Sequence, residues 1–241
     1  MLFHRRFIIL LAIIAGIIIY QHYALLLQQS QKLYVISAAF PTSYSVGNPQ
    51  DPPLSYVILG DSTVAGSGVS NLVDTLPYKI AAQLASQHHY VKVTNLARSG
   101  AKMYDVMNSQ LPQLSSLSPN LITLNCGAND ATHFTGLSDY RSQLSTILNN
   151  LQATGAPQII VATAPDLTFA PALPPLYRSF VGWRAAQQND ILTNMANHAP
   201  FKIVDIYTDG KLETPGSYAA DYFHPNAVGY QRWADLYTNL L

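Results

Sequence analysis

From residue 54 to the C-terminus, short apolar runs alternate with longer stretches in which apolar residues recur at helical spacing. The runs at 55–60, 91–96, 121–125, 158–162 and 202–206 predict buried strands. Between them, 75–88, 103–117, 138–153 and 178–198 predict helices, and 226–240 closes the chain as another. Strand runs that are apolar at consecutive positions are buried on both faces. Repeated strand-then-helix order therefore predicts a parallel sheet with helices on either side, an α/β fold. There is no internal repeat and no second domain, so 54–241 reads as one unit. In such sheets the carboxyl ends of the strands carry the site.

The N-terminal pattern is different. His4-Arg5-Arg6 precedes an uncharged stretch from Phe7 to Leu27, and a helix of that length, at about 1.5 Å per residue, matches a bilayer core of roughly 30 Å. Residues 1–27 are thus expected to be a membrane anchor, one transmembrane helix with the basic end inside and the rest of the chain outside the cytoplasm. The alternative is a cleaved signal sequence and a secreted product, but the nearest small-x-small site, Ser37-Ala38-Ala39, lies far downstream. Residues 28–53, rich in Gln, Ser and Pro, are expected to be a linker; Leu33 to Phe40 packing on the domain is the alternative for that part.

Composition narrows the partners. Of 241 residues only 11% are charged while 49% are apolar, and 13 basic residues balance 13 acidic ones. Without a positive field, nucleic acid is not an expected partner. Cys126 is the single cysteine, so no disulfide forms within the chain, and its place at the end of an apolar run predicts a small buried residue. The histidines at 88, 89, 133 and 198 lack metal-ligand spacing; neither metal nor cofactor is expected.

Four strand exits and loops hold related polar residues. The run Tyr56-Val57-Ile58-Leu59 stops at Gly60 and leaves Asp61-Ser62 in the loop; Arg98-Ser99-Gly100 follows the next run; Gly127-Ala128-Asn129-Asp130 follows the third; Asp221-Tyr222-Phe223-His224-Pro225 precedes the closing helix. A serine hydroxyl needs a base to become a nucleophile, which histidine supplies. The histidine in turn needs a carboxylate to hold its tautomer, and Asp221 is placed for that. An oxyanion formed on attack needs fixed N–H donors, and the Ser62 and Gly100 amides and the Asn129 side chain are on offer. Pro225 is expected at the first position of the last helix.

The four blocks resemble the GDSL or SGNH hydrolase superfamily over 54–241, with Thr63 where the family name has leucine. The resemblance implies a three-layer α/β/α, flavodoxin-like sandwich with a five-stranded parallel sheet. It also implies serine acylation followed by hydrolysis, with Ser62 as nucleophile, Asp221 and His224 completing the triad, and Ser62, Gly100 and Asn129 as oxyanion donors. The expected activity is that of an esterase or lipase on a small-molecule, lipid or glycan ester; acyl transfer to a glycan or lipid and a non-catalytic binding module are the alternatives. Asp61 and Asp130 are expected to brace their loops by hydrogen bonds. Tyr177, Phe180 and Trp183 are expected in the core, and the proline-rich stretch 165–175 is expected to wall the acyl site. The oligomeric state and the identity of the ester are not legible in the sequence.

Overall fold

A computed structural model of the protein describes residues 9–11, 13–20, 23, 39–197 and 200–241. Six strands form one sheet in the order β1-β3-β2-β4-β5-β6: β1 (Ser43–Val46), β2 (Pro53–Gly60), β3 (Tyr90–Asn95), β4 (Leu121–Asn125), β5 (Gln158–Ala162) and β6 (Lys202–Val204). The last five are the five expected strands and run parallel, with Tyr56 opposite Leu121 and Val93, and Ile122 opposite Ile159.

The sixth strand corrects the expectation of an all-parallel, five-stranded sheet. β1 lies within the stretch read as linker and pairs antiparallel with β3, Ser43 opposite Thr94 and Val46 opposite Val91. Its four residues alternate half-buried and exposed, and Tyr44 stacks on Tyr78 at 6.1 Å between ring centroids. So short a polar run gives little apolar signal, yet it covers the edge that β3 would otherwise leave open. Phe40, just before it, also packs on the domain.

Consecutive residues of β2 supply both cores, as a period of two requires. Tyr56 and Ile58 pack with Ile80 of α2 (Leu76–Ser86) and Tyr230 and Trp233 of α8 (Ala227–Thr238). Val57 and Leu59 pack with Leu144 of α6 (Leu137–Ala153) and Leu192 of α7 (Pro175–Ala196). The result is three layers. Short helices α1 (Ser62–Ala65), α3 (Met103–Asp105), α4 (Leu111–Leu114) and α5 (Ala128–Thr132) lie at strand exits or between strands.

Three local expectations need correction. The stretch 103–117 is not one helix: a π turn, Val106–Gln110, separates α3 from α4. Pro112 has no N–H to donate to Asn108, so a regular ladder cannot run through it. Pro225 does not open the last helix; it precedes the cap, Asn226, whose Oδ1 accepts from Val228 N at 2.9 Å and Gly229 N at 3.1 Å. Phe180 and Trp183 are not core: the buried stripe of α7 is Val181, Ala185, Gln188 and Leu192, which turns Phe180 and Trp183 outward, while Tyr177 is half-buried.

The expected membrane helix over 7–27 lies partly outside the described residues. Those described at 9–11, 13–20 and 23 are helical, with exposed Ile and Leu side chains. Among the described residues no helix is long and apolar enough to cross a membrane. Residues 24–38 and His198 also lie outside the described residues.

Candidate active site

The turn after β2 is fixed before it reaches the serine. Gly60 has φ +150°, and a Cβ there would stand 2.0 Å from the Asn125 carbonyl oxygen, so only glycine fits. The same carbonyl accepts from Asp61 N at 3.0 Å. Asp61 then caps α1: its Oδ1 accepts from Thr63 N at 2.9 Å and from Thr63 Oγ1 at 2.7 Å, the bracing role expected of it. Burial pushes the Asp61 carboxyl up, and the two Thr63 hydrogen bonds offset this only in part. Ser62 is the first residue of that helix, where a backbone N–H has no intrahelical acceptor.

The residues expected to act together meet. His224 Nε2 lies 2.8 Å from Ser62 Oγ, across 162 positions of sequence. His224 Nδ1 lies 2.8 Å from Asp221 Oδ2, and Asp221 Oδ1 accepts from the backbone N–H groups of Phe223 and His224, both at 2.9 Å. Burial alone would raise the Asp221 carboxyl; the hydrogen bond and charge of His224 and the two backbone donors outweigh it, holding the group below the usual carboxylate range. An ionised Asp221 accepts, which in the neutral imidazole favours the proton on Nδ1 and leaves the Nε2 lone pair toward the serine hydroxyl. That is the tautomer a proton-accepting histidine needs.

Of the expected donors, Asn129 lines the pocket with Ser62 and His224, whereas Gly100 is not among the residues that line it. Gly100 has φ +80°, and a Cβ built there meets nothing within 4 Å; its loop is joined to the first block where Arg98 N donates to Gly60 O at 3.2 Å. Asn129, the second residue of α5, lines the same pocket as Ser62 and His224 and donates one Nδ2 hydrogen to Ala101 O at 3.0 Å. Asp130, fully buried, accepts from Met103 N at 2.9 Å and thereby ties the Asn129 block to the Gly100 block. Cys126 is buried, and burial pushes its thiol well above the usual range; it is an inert neighbour and not a rival nucleophile. The pocket is walled by Pro165, Leu167 and Ala170 from the proline-rich stretch, and by Leu212, Phe223 and Trp233.

Three buried amides were missed by sequence reasoning. Gln110, at the end of the π turn, accepts from Gly60 N and donates to Gly60 O, both at 2.8 Å. Asn189 does the same to Ala164 at the exit of β5, accepting from its N at 2.8 Å and donating to its O at 3.0 Å. Gln188, oriented as its neighbours require, donates to Gly127 O at 3.1 Å and accepts from Ala131 N at 3.3 Å. Each pins a loop that carries the site. Their signal was a polar residue on an otherwise apolar helical stripe, as Gln188 is among Val181, Ala185 and Leu192.

Residues 58–232 match the GDSL-like lipase/acylhydrolase family. The chain belongs to this family. It is thus an enzyme of the GDSL/SGNH type, a hydrolase acting on ester bonds. Solved structures share the fold of this GDSL hydrolase at low identity. TesA is 19% identical with a TM-score of 0.63, covering 76% of this chain and 95% of its own. The acetylxylan esterase Axe2 from Geobacillus stearothermophilus is 16% identical with a TM-score of 0.57, covering 80% and 94%. A member of the lipolytic G-D-S-L family from Veillonella parvula is 16% identical with a TM-score of 0.61, covering 78% and 98%. No curated protein sequence matches this GDSL hydrolase.

Proposed function

We propose that this GDSL hydrolase cleaves carboxylic esters through an acyl-enzyme on Ser62. The observation that carries the reading is the pair of 2.8 Å contacts, Ser62 Oγ to His224 Nε2 and His224 Nδ1 to Asp221 Oδ2. As the Ser62 oxygen adds to the ester carbonyl, its proton passes to Nε2, and Asp221 stabilises the imidazolium that results. The carbonyl oxygen, now an anion, takes hydrogen bonds from the Ser62 and Gly100 amides and the Asn129 side chain. Collapse of the tetrahedral species expels the alcohol, which receives the proton from His224. Water then enters, gives its proton to His224, and releases the acid and free Ser62.

The acyl group sits against Leu167, Ala170, Leu212 and Phe223, an apolar lining suited to hydrocarbon. The activity named for Axe2, together with the family match, supports an ester as substrate. The Phe7 to Leu27 segment anchors the enzyme in a membrane, and its hydrolase domain works outside the cytoplasm; the apolar length and the preceding basic residues support this.

A fluorophosphonate probe tests the nucleophile. The wild type is expected to label and Ser62→Ala to lose the label while keeping its thermal unfolding transition; a folded wild type that does not label overturns the proposal.

A further inference from the structure

The outward stripe of α7 begins beside the pocket. Leu176, Phe180 and Trp183, at i, i+4 and i+7, are 80%, 46% and 54% exposed. The rings continue onto the loop after the Asn129 helix: Trp183 lies 5.7 Å from Phe180, Phe180 5.6 Å from Phe134, and Phe134 6.0 Å from Tyr177. Tyr177 Oη donates to Thr132 O at 2.7 Å and the Arg184 guanidinium donates to Thr135 O, so α7 fixes the loop from both ends. Phe134 is 50% exposed and has φ +57°; Tyr222, between Asp221 and His224, is 56% exposed with φ +56°. A left-handed backbone is costly for a bulky residue. Both rings nonetheless stand largely in solvent, and both lie in segments that adjoin site residues, Phe134 after the Asn129 helix and Tyr222 between Asp221 and His224.

We propose that this ridge, Leu176, Phe180, Trp183 and Phe134, seats the active-site rim on an anionic lipid bilayer, which presents ester substrates to Ser62. The lipid is the membrane that the proposed anchor occupies, so the inference rests on that reading for its geometry. Its own support is charge and shape. Between 167 and 189 the chain carries Arg178 and Arg184 and no acid, with Asp166 and Asp190 bordering that stretch and Asp139 following the Phe134 loop. Among the described residues the ion pairs are Lys79 with Asp74 and His224 with Asp221, so neither arginine has a carboxylate partner. Apolar rings flanked by two cations that make no ion pair match an anionic interface. Neighbouring rings are tilted by 85°, 54° and 36°, with aliphatic Leu176 at one end. They form a wedge, whereas stacking on a sugar needs an open, flat ring face.

The chain has two tryptophans, and Trp233 is buried in the pocket wall with its Nε1 donating to Gly210 O, so the lipid-dependent emission that Trp183→Phe removes is the part that reports Trp183. The full chain is reconstituted into phosphatidylcholine vesicles with and without phosphatidylglycerol, using acyl chains brominated near the headgroup. Trp183 emission is expected to shift to the blue and to be quenched, more with phosphatidylglycerol and less at high salt. Trp183→Phe should remove the quenched component. Leu176→Ser with Phe180→Ser should abolish quenching and cut hydrolysis of a vesicle-embedded ester on the order of tenfold, because two apolar side chains no longer enter the bilayer, while leaving a soluble p-nitrophenyl ester unaffected. Unquenched Trp183 in a chain that floats with the vesicles overturns the proposal. So does a Trp183 shift caused by soluble oligosaccharide alone, or a dimer that the double variant dissolves. A chain that does not float defeats the anchor and not the ridge, because the same quenching is then read with vesicles simply mixed in. An unlabelled Ser62 defeats the chemistry and leaves the quenching result standing.

Discussion

On the His224 side of Ser62 the polar atoms are already engaged: Nε2 with the serine, Nδ1 with Asp221, and Asp221 with two backbone donors. At the proposed oxyanion donors there is less engagement: nothing lies within 4 Å of where a Gly100 Cβ would stand, and Asn129 uses one Nδ2 hydrogen on Ala101 O. The difference matches what the proposed mechanism asks of each set. A proton acceptor works on a group the protein itself carries, so it can be completed on folding. A cradle for negative oxygen is completed only when the substrate's oxygen arrives.

The sharpest way to break this contrast is to damage each side separately and then together. Asp221→Asn keeps the size of the side chain but presents a donor to Nδ1, favouring the wrong tautomer; kcat on a p-nitrophenyl ester is expected to fall by roughly 10⁴. Adding it to His224→Ala should cost nothing further, because the two act as one unit. A second full loss in the double variant would mean that Asp221 acts independently of the histidine.

Asn129→Ala removes one proposed oxyanion donor and is expected to cost about 10² to 10³ in kcat with little change in KM. Placed on Asp221→Asn it should lower the residual rate again, since cradle and relay contribute separately. Equal rates for the single and double variants would merge the two sides into one.

Gln110 tests whether the contrast depends on how the strand exit is held. Gln110→Leu leaves the Gly60 N–H without its acceptor, an unsatisfied buried group worth about 1–3 kcal/mol of stability. If Ser62 shifts relative to Gly100, kcat should fall by roughly 10- to 100-fold. Gln110→Glu, which when protonated offers the same donor and acceptor, should come closest to the wild-type rate measured at the same pH toward acid pH and fall behind it as the pH rises. A Leu variant with lowered melting temperature but normal kcat would make Gln110 a structural brace alone.

Most of this contrast is readable without the fold, and for a physical reason. Ser62, Gly100, Asn129, Asp221 and His224 sit in strand exits and loops where local chemistry restricts the residue type, and β2 to β6 announce themselves by dense apolar runs. The unread parts depend on tertiary partners. Gln110 shows in the sequence only as a polar residue on an apolar stripe, and its partner Gly60, fifty residues away, is visible only in the fold; β1 carries too little apolar surface to mark it as a strand. Hydrophobicity alone assigns Phe180 and Trp183 to the core, because it does not say which stripe of α7 the sheet will cover.

The smallest expected effect concerns the carboxylates and has opposite signs at two places. Asp221 is held below the usual carboxylate range of about 4, because His224 and two backbone donors overcome its burial. Its contribution to stability is complete above that range and is lost as pH falls through the lower folded value. Asp61 is raised by burial, so the folded state binds its proton more tightly than the unfolded chain, and stability falls as pH climbs from the usual range through the raised value. Urea midpoints measured from about pH 3 to about pH 7 should show the deficit of Asp221→Asn growing toward neutral pH. Over the same interval Asp61→Asn, which keeps an acceptor for Thr63, should gain on the wild type. Parallel trends for the two variants would mean that the serine's cap and the histidine's partner share one electrostatic environment, and the relay would then owe its charge to the loop as a whole.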